Sequence, residues 1–581
     1  MQGLLNIENL SVDFITQQGI TQALQQVSIT VGNGEIVAIV GESGSGKSVT
    51  SLSILQLLQV PPAVYKNGRI IFNNGEDADL LQLTAGQMQA LRGNRIAMIF
   101  QEPMTSLNPV KKCGVQVAEA ITLHKKLPAA EARKATIALF EQVKLPNPAE
   151  IFNRYPHQLS GGQKQRVMIA MAMSCGPSLL ICDEPTTALD VTVQKSILQL
   201  IKKLQAQNNM SVIFISHDLG VVAEIADRVV VMYKGKIVEQ GNCTDIIKDP
   251  QHPYTKALLA CRPSLHSKGE RLPVVSDFLG TTLEGPGTND GEELIKPKIQ
   301  KTNIELKRTS TQKQNIKDET ILQVNSLKVF YPGKKTLFGK VIACTKAMDN
   351  VNLTVQKGET LGLVGESGCG KTTLGRAMLG LIKPTGGNII FKGTDLSSAN
   401  HTEWKGLRKE MQLIFQDPYS SLNPRKTIGS AIAEPLLVHK LYATDKQRKE
   451  QVIELLEKTG LLPEHYNRYP HEFSGGQRQR IVIARALALQ PSFIVCDESV
   501  SALDVSVQAQ VLNLLNDLKN EFDFTAVFIS HDLSVIRYMS DRIAVMHNGK
   551  IEEVGLTDDI YNNPQSAYTR RLIESMPKIM L

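Results

Sequence analysis

The chain writes one pattern twice, and that repetition limits its fold more than any other feature. GESGSGKS at 41–48 returns as GESGCGKT at 365–372, and FQEPMTSLNP at 100–109 returns as FQDPYSSLNP at 415–424. RYPHQLSGGQKQR at 154–166 returns as RYPHEFSGGQRQR at 468–480. CDEPTTALDVTVQ at 182–194 returns as CDESVSALDVSVQ at 496–508, and FISHDL at 214–219 returns at 528–533. The order is kept and the spacing changes only by small insertions, so the chain reads as two copies of one module. A length of 581 residues, too great for one hydrophobic core, agrees. The expected boundaries are a first module over 1–261, a joining segment over 262–320 and a second module over 321–581.

The joining segment is polar and rich in Gly, Pro, Lys and Thr, with acidic residues first and a basic run over 296–317. It has too little apolar surface to order itself, which predicts a flexible solvated tether; contact of its basic part with anionic lipid is the second reading. Elsewhere the composition, 42% hydrophobic and 21% charged, is that of a folded globular protein. No uninterrupted apolar stretch of about 18 residues is present, so no membrane-spanning helix is expected. The start, MQGLLNIENL, lacks the basic and long apolar regions of a secretory signal. Eight cysteines are scattered without a C-x-x-C pair, which fits reduced thiols in a cytosol. A net charge of +7 is a weak footprint for nucleic acid, and no nucleic-acid partner is expected.

Each module has an α/β pattern. The β-branched run 35–40 leads into the glycine loop and a predicted helix over Ser48–Leu58, and 179–182 and 212–215 are further buried-strand candidates. Near-continuous apolar strands separated by helices predict a parallel sheet covered on both faces. The segment from about 104 to 165 reads as a separate helical lobe.

The chemistry starts at Gly41-Glu42-Ser43-Gly44-Ser45-Gly46-Lys47-Ser48 and Gly365-Glu366-Ser367-Gly368-Cys369-Gly370-Lys371-Thr372. Both match G-x-x-x-x-G-K-[ST], both follow a predicted strand and both open a helix, the context of a phosphate loop. Glycines let backbone N–H groups close on a β-phosphate, Lys47 and Lys371 bring charge to the β and γ oxygens, and Ser48 and Thr372 offer a hydroxyl to magnesium. Asp183 and Asp497 end apolar strands, where a carboxylate is costly unless it faces a cation. Each is therefore a candidate magnesium ligand. The following Glu184 and Glu498 are candidate bases for a water in line with the γ-phosphate. Gln101 and Gln416 are placed at strand ends near the metal, and His217 and His531 are candidates to hold the γ-phosphate and the attacking water.

Other residues carry two readings. Phe14 and Tyr331 are candidates to stack on an adenine, with core packing as the alternative. Met168, Met171 and Met173 read as core filling. Cys369 reads as a packing residue, with a thiol acidified by Lys371 and the helix terminus as the alternative. Adjacent glycines after a serine at a helix start, Ser160-Gly161-Gly162-Gln163 and Ser474-Gly475-Gly476-Gln477, offer a second anion-binding turn in each module.

Taken together, phosphate loop, glutamine, LSGGQ-type turn, Asp-Glu strand end, Ala-Leu-Asp at 188–190 and 502–504, and histidine resemble the ATP-binding cassette family, in family order and twice. The SLNP stretches and the tails HPYTKALL (252–259) and SAYTRRLI (566–573) resemble its peptide and nickel importer subfamily, including fused glutathione- and microcin-type forms. The resemblance implies two phosphate-loop ATPase domains, each with a parallel-sheet core, a small antiparallel β subdomain and a helical signature subdomain. It implies ATP and Mg²⁺ as cofactors and two composite sites. Gly41–Ser48, Gln101, Asp183, Glu184 and His217 would pair with Ser474–Gln477, and Gly365–Thr372, Gln416, Asp497, Glu498 and His531 with Ser160–Gln163. It further implies a peripheral location at the cytoplasmic face of the inner membrane, two integral-membrane permease subunits, an external solute-binding protein and peptide cargo. Ser499, where the first module has Pro185, departs from the pattern outside the reacting atoms. A soluble twin-cassette ATPase acting on ribosomes is the rival; the prolines and glycines of 262–320 and the SLNP stretches count against it.

Overall fold

Ile36–Val40 is a run of five buried, mostly β-branched residues, and Gly41 ends it as a strand. That strand is the centre of the first half. The computed structural model describes residues 3–16, 19–73, 75–101, 106–187, 189–279, 319–332, 344–501 and 503–576. Its first half holds β1 (Leu5–Thr16), β2 (Gly19–Val31), β3 (Ile36–Val40), β4 (Ala63–Asn73), β5 (Asp77–Asp79), β6 (Ile96–Ile99), β7 (Leu179–Asp183), β8 (Ser211–Ser216), β9 (Arg228–Tyr233) and β10 (Lys236–Asn242). One sheet has the order β2-β1-β4-β5 and is antiparallel; the other has the order β10-β9-β3-β8-β7-β6. The second half repeats the plan with β11 (Thr320–Pro332), β12 (Cys344–Gln356), β13 (Thr360–Val364), β14 (Gly386–Phe391), β15 (Thr394–Asp395), β16 (Met411–Ile414), β17 (Phe493–Asp497), β18 (Thr525–Ile529), β19 (Arg542–His547) and β20 (Lys550–Leu556). Its sheets run β12-β11-β14-β15 and β16-β17-β18-β13-β19-β20.

The larger sheets are parallel from β6 to β9 and from β16 to β19, as the unbroken apolar runs predict. Their last strands, β10 and β20, are antiparallel to their neighbours. Half-buried and exposed residues alternate along β20, and neither edge strand is fully buried, as in strands with one wet face. In each half a hydrophobic core is shared between the antiparallel sheet and the parallel sheet.

The lobe expected after residue 104 is helical: Cys113–Lys125, Ala129–Gln142 and Pro148–Asn153 precede the helix Gly161–Met173. Met168 and Met173 are buried, as the core-filling reading required, while Met171 is half-buried. The helix expected over Ser48–Leu58 is shorter, Lys47–Ile54. Gln56 stands at φ 48°, a left-handed conformation that ends the helical run, and Pro61 and Pro62 offer no N–H to resume it.

The chain divides into two compact units. The first runs to Ala260; Cys261–Ser276 already belongs to the second, and Asp277–Leu279 groups with the first. The joining segment was expected to begin at 262 as a flexible tether, yet its first part is packed structure, because Pro263, Leu272 and Val275 bury apolar surface. Residues 280–318, with the whole basic run, lie outside the described residues.

Candidate active sites

The turn after β3 brings the backbone to within a glycine's reach of its neighbour. A Cβ at Gly41 would lie 2.2 Å from the Met232 carbonyl oxygen, and one at Gly365 would lie 2.0 Å from that of Met546. Gly46 and Gly370 cap the next helices at φ 100° and 111°, a region open to glycine. The loop closes around its own lysine. Lys47 Nζ donates to the carbonyls of Gly41 and Glu42, both at 2.8 Å; Lys371 Nζ donates to those of Gly365 at 2.7 Å and Glu366 at 3.0 Å. Ser45 Oγ is buried without a hydrogen-bond partner among the described residues, and a phosphate oxygen would satisfy it. At the matching position Cys369 is a buried thiol outside any disulfide, packed into the second core, in keeping with its packing reading.

Strands β7 and β17 deliver the carboxylates. Ser48 Oγ donates to Asp183 Oδ1 at 3.3 Å, and Thr372 Oγ1 donates to Asp497 Oδ1 at 3.0 Å. Burial raises the pKa of both aspartates against these hydrogen bonds, and the adjacent Glu184 or Glu498 charge adds to the rise. A hydroxyl and an under-compensated carboxylate side by side fit a divalent cation. Among the described residues no group of three or more His, Cys, Asp or Glu makes a metal cage. The hydroxyl and carboxylate pair is the donor set that suits magnesium, which uses one or two protein oxygens and takes the rest from phosphates and water.

Glu184 and Glu498 sit at φ 46°, a strained conformation for a non-glycine residue costing on the order of 1–3 kcal/mol. They are held there because each backbone N–H donates to the neighbouring strand, to Ile215 O at 3.1 Å and Ile529 O at 3.0 Å. The carboxylates then gather the predicted partners. Gln101 Nε2 donates to Glu184 Oε2 at 3.1 Å, and Gln416 Nε2 donates to Glu498 Oε2 at 2.8 Å. His217 Nδ1 lies 3.3 Å from Glu184 Oε2, and His531 Nδ1 lies 3.5 Å from Glu498 Oε2. Burial pushes the Glu184 pKa upward. Hydrogen bonding and charge from His217, then Thr187 and Lys47, outweigh it and bring the carboxyl down to about 2. Glu498 is lowered by the same opposition of burial with His531 and Lys371. Beside the glutamate the halves also differ: Thr187 Oγ1 donates to the Glu184 carboxylate at 2.9 Å, whereas Ser501 Oγ donates to the backbone carbonyl of Glu498 at 3.0 Å.

The glycine turns at 160–163 and 474–477 are helix starts. Ser160 and Ser474 accept from the N–H of Gln163 and Gln477, whose side chains accept in return from the serine N–H at 3.1 Å. A Cβ at Gly162 or Gly476 would meet Val193 at 2.8 Å or Val507 at 2.3 Å, while Gly475 faces open space. The exposed N–H groups thus keep an accessible side. Phe14 packs half-buried against the first core and Tyr331 is 42% exposed. Ala188 and Ala502 lie outside the described residues; Asp190 and Asp504 cap the long helices Val191–Asn208 and Val505–Phe522.

Two site residues escaped sequence reasoning. The Glu42 N–H of the first loop donates to Tyr254 Oη at 3.0 Å, and the Glu366 N–H of the second donates to Tyr568 Oη at 3.1 Å. Both tyrosines are buried, against Tyr233 and His547 respectively. The signal was present, a tyrosine shared by HPYT and SAYT, but nothing in the spacing tied the tail to a loop some 200 residues earlier. Tyr254→Phe and Tyr568→Phe are expected to loosen the loops and weaken ATP binding about 3- to 10-fold, the worth of one modest buried hydrogen bond. Titration with a non-hydrolysable ATP analogue checks this.

Residues 24–187 and 348–501 match the family described as "ABC transporter". Residues 238–283 and 553–580 match "Oligopeptide/dipeptide transporter, C-terminal region". The chain is similar to the glutathione import ATP-binding protein GsiA of Escherichia coli strain K12, at 48% identity over 99% of this chain and 89% of that protein. The same-named protein of Pectobacterium atrosepticum is 47% identical over the same shares. Among solved structures, the dimeric cassette MJ0796 in a post-hydrolysis state bound to ADP and Pi is 28% identical, with a TM-score of 0.37, over 41% of this chain and 98% of that one.

Proposed function

This chain belongs to the ATP-binding cassette transporter family, and we infer from that premise that it is the ATP-hydrolysing subunit of an importer whose cargo is glutathione or a related small peptide. The observation that carries the enzymatic part is the repeated cluster of phosphate loop, aspartate, glutamate, glutamine and histidine, complete in both halves. The cargo rests on the importers that the chain resembles over 99% of its length and on the two peptide-transporter C-terminal regions.

ATP enters with its β- and γ-phosphates on the loop amides, and Lys47 or Lys371 exchanges loop carbonyls for phosphate oxygens. Ser48 with Asp183, and Thr372 with Asp497, would hold magnesium, which when bound would spread the negative charge of the phosphates. Glu184 or Glu498, ionised at neutral pH, orients and deprotonates the attacking water; Gln101 or Gln416 fixes the carboxylate until substrate arrives, and His217 or His531 braces water and γ-phosphate. Phe14 and Tyr331 stack on the adenines. The signature turns are assigned to the nucleotide of the opposite half: Ser474–Gln477 complete the site at Lys47, and Ser160–Gln163 complete the site at Lys371. ATP then favours a closed pair of cassettes, and hydrolysis removes that bias.

No helix among the described residues is long and apolar enough to cross a membrane. The route for solute is assigned to separate permease subunits, in line with the importers that the chain resembles. Each helical lobe exposes apolar side chains that suit such a partner. These include Val110, Val115 and Leu123 in one half and Tyr419, Leu437 and Val438 in the other. The chain is placed at the cytoplasmic membrane face, with a solute-binding protein on the far side. Affinity purification of the intact chain from detergent-solubilised membranes is expected to bring down two integral-membrane proteins in stoichiometric amounts. Recovery only with sedimenting ribosomes, unchanged by ATP, would refute the importer reading.

A further inference from the structure

The segment Cys261–Ser276 follows the first cassette in sequence but is built into the second unit. Its docking is specific. The Leu272 N–H donates to Asn513 Oδ1 at 3.0 Å, and Asn513 Nδ2 donates back to the Leu272 carbonyl at 2.8 Å, the two-point pairing of one strand residue with another. Tyr538 Oη donates to the Glu270 carbonyl at 2.7 Å. Arg271 pairs with Asp517 at 3.0 Å and Lys268 pairs with Asp541, whose other oxygen takes the Thr360 N–H at the start of β13. Leu272 and Tyr538 are 1% exposed, and Asn513 is buried as well. A buried amide and phenol with their partners met in this way form a receptor for one backbone path.

Among its described residues the first cassette has no such receptor. At the positions that match Asn513, Asp517 and Tyr538 it carries Gln199, Lys203 and Glu224, and Gln199 and Lys203 are exposed. The Asp227 carboxylate accepts the N–H of Ile36, as that of Asp541 accepts the N–H of Thr360. The duplicated modules have therefore diverged on one surface, and the second covers that surface with residues encoded beside the first.

We propose that Cys261–Ser276 is a permanent strap of the second cassette, so that the covalent joint between the halves is the short step at Ala260–Cys261 and the later residues of the joining segment are dispensable for keeping the halves together. The partner that the Asn513–Tyr538 surface fits is this extended segment of the same chain, recognised through the backbone of Glu270 and Leu272 and the side chain of Leu272. The inference is independent of the cargo and of the pairing of signature turns with phosphate loops.

A full chain with a site-specific protease sequence between Lys296 and Lys313 tests it, cut after purification and passed over a sizing column without nucleotide. The two fragments are expected to co-elute. Leu272→Glu, a change in the strap that leaves both cassette cores intact, is expected to weaken fragment association at least about tenfold, and Asn513→Ala to act in the same direction. ATP-analogue binding by each variant reports that the cassettes remain folded. Separation of the wild-type fragments, or co-elution of the cut Leu272→Glu chain at wild-type concentrations, overturns the proposal.

Discussion

Glu184→Gln is expected to lower ATP turnover by about 10²–10⁴-fold while ATP still binds, and Glu498→Gln is expected to do the same. The amide keeps the size and hydrogen-bonding reach of the side chain but cannot accept a proton. The wild-type carboxyl is held at about 2 in the first half, so it is ionised at every pH where such an enzyme works. Its task in this mechanism is to orient the water and to take the proton as the phosphorus–oxygen bond forms. The strained backbone and the bond to the neighbouring strand position the side chain in either form, so binding survives the change. Steady-state hydrolysis with a parallel binding titration checks both halves of the expectation. Near-normal turnover in one single variant would mean that its site is not an equal partner.

The second large effect is on binding itself. Lys47→Ala and Lys371→Ala are each expected to weaken ATP at their own site by one to two orders of magnitude, the worth of a lost charge-assisted hydrogen bond to phosphate. The structure adds a reason that charge alone does not give. Each lysine ties the two carbonyls at the mouth of its loop, so its removal leaves those oxygens without their donor and frees the loop to relax. Lys47→Arg is a poor rescue, because a planar fork does not fit where a compact ammonium meets two carbonyls. Fluorescent nucleotide titration of each variant, read as loss of one of two binding events, is the measurement.

Much of this arrangement was legible in sequence because its chemistry depends on short local patterns. A glycine loop, a carboxylate at the end of an apolar strand and a serine at a helix start are determined by neighbours a few residues away. Their recurrence in one order identified them as parts of a single device. What was missed depends on distance along the chain. The tyrosines at 254 and 568 reach loops far upstream, and no periodicity encodes that meeting. The strap is hard to see in sequence because the polar composition of 262–320 as a whole masks Pro263, Leu272 and Val275, three apolar residues that suffice to anchor a short extended piece. The helix after Lys47 ends early because Gln56 is left-handed, although the apolar pattern runs on to Leu58. The edge strands escaped because a parallel core announces itself by unbroken hydrophobic runs, and an antiparallel border does not.

The divergence between Asn513 and Gln199, and between Tyr538 and Glu224, bears on how such a polypeptide can be rebuilt. The halves are not interchangeable bricks. The cradle on the second half's helices is met by a segment that arrives with the first half, so a second half made alone leaves the Asn513 amide and the Tyr538 phenol without the partners that now satisfy them. Duplication followed by one-sided specialisation thus ties the two halves into one polypeptide.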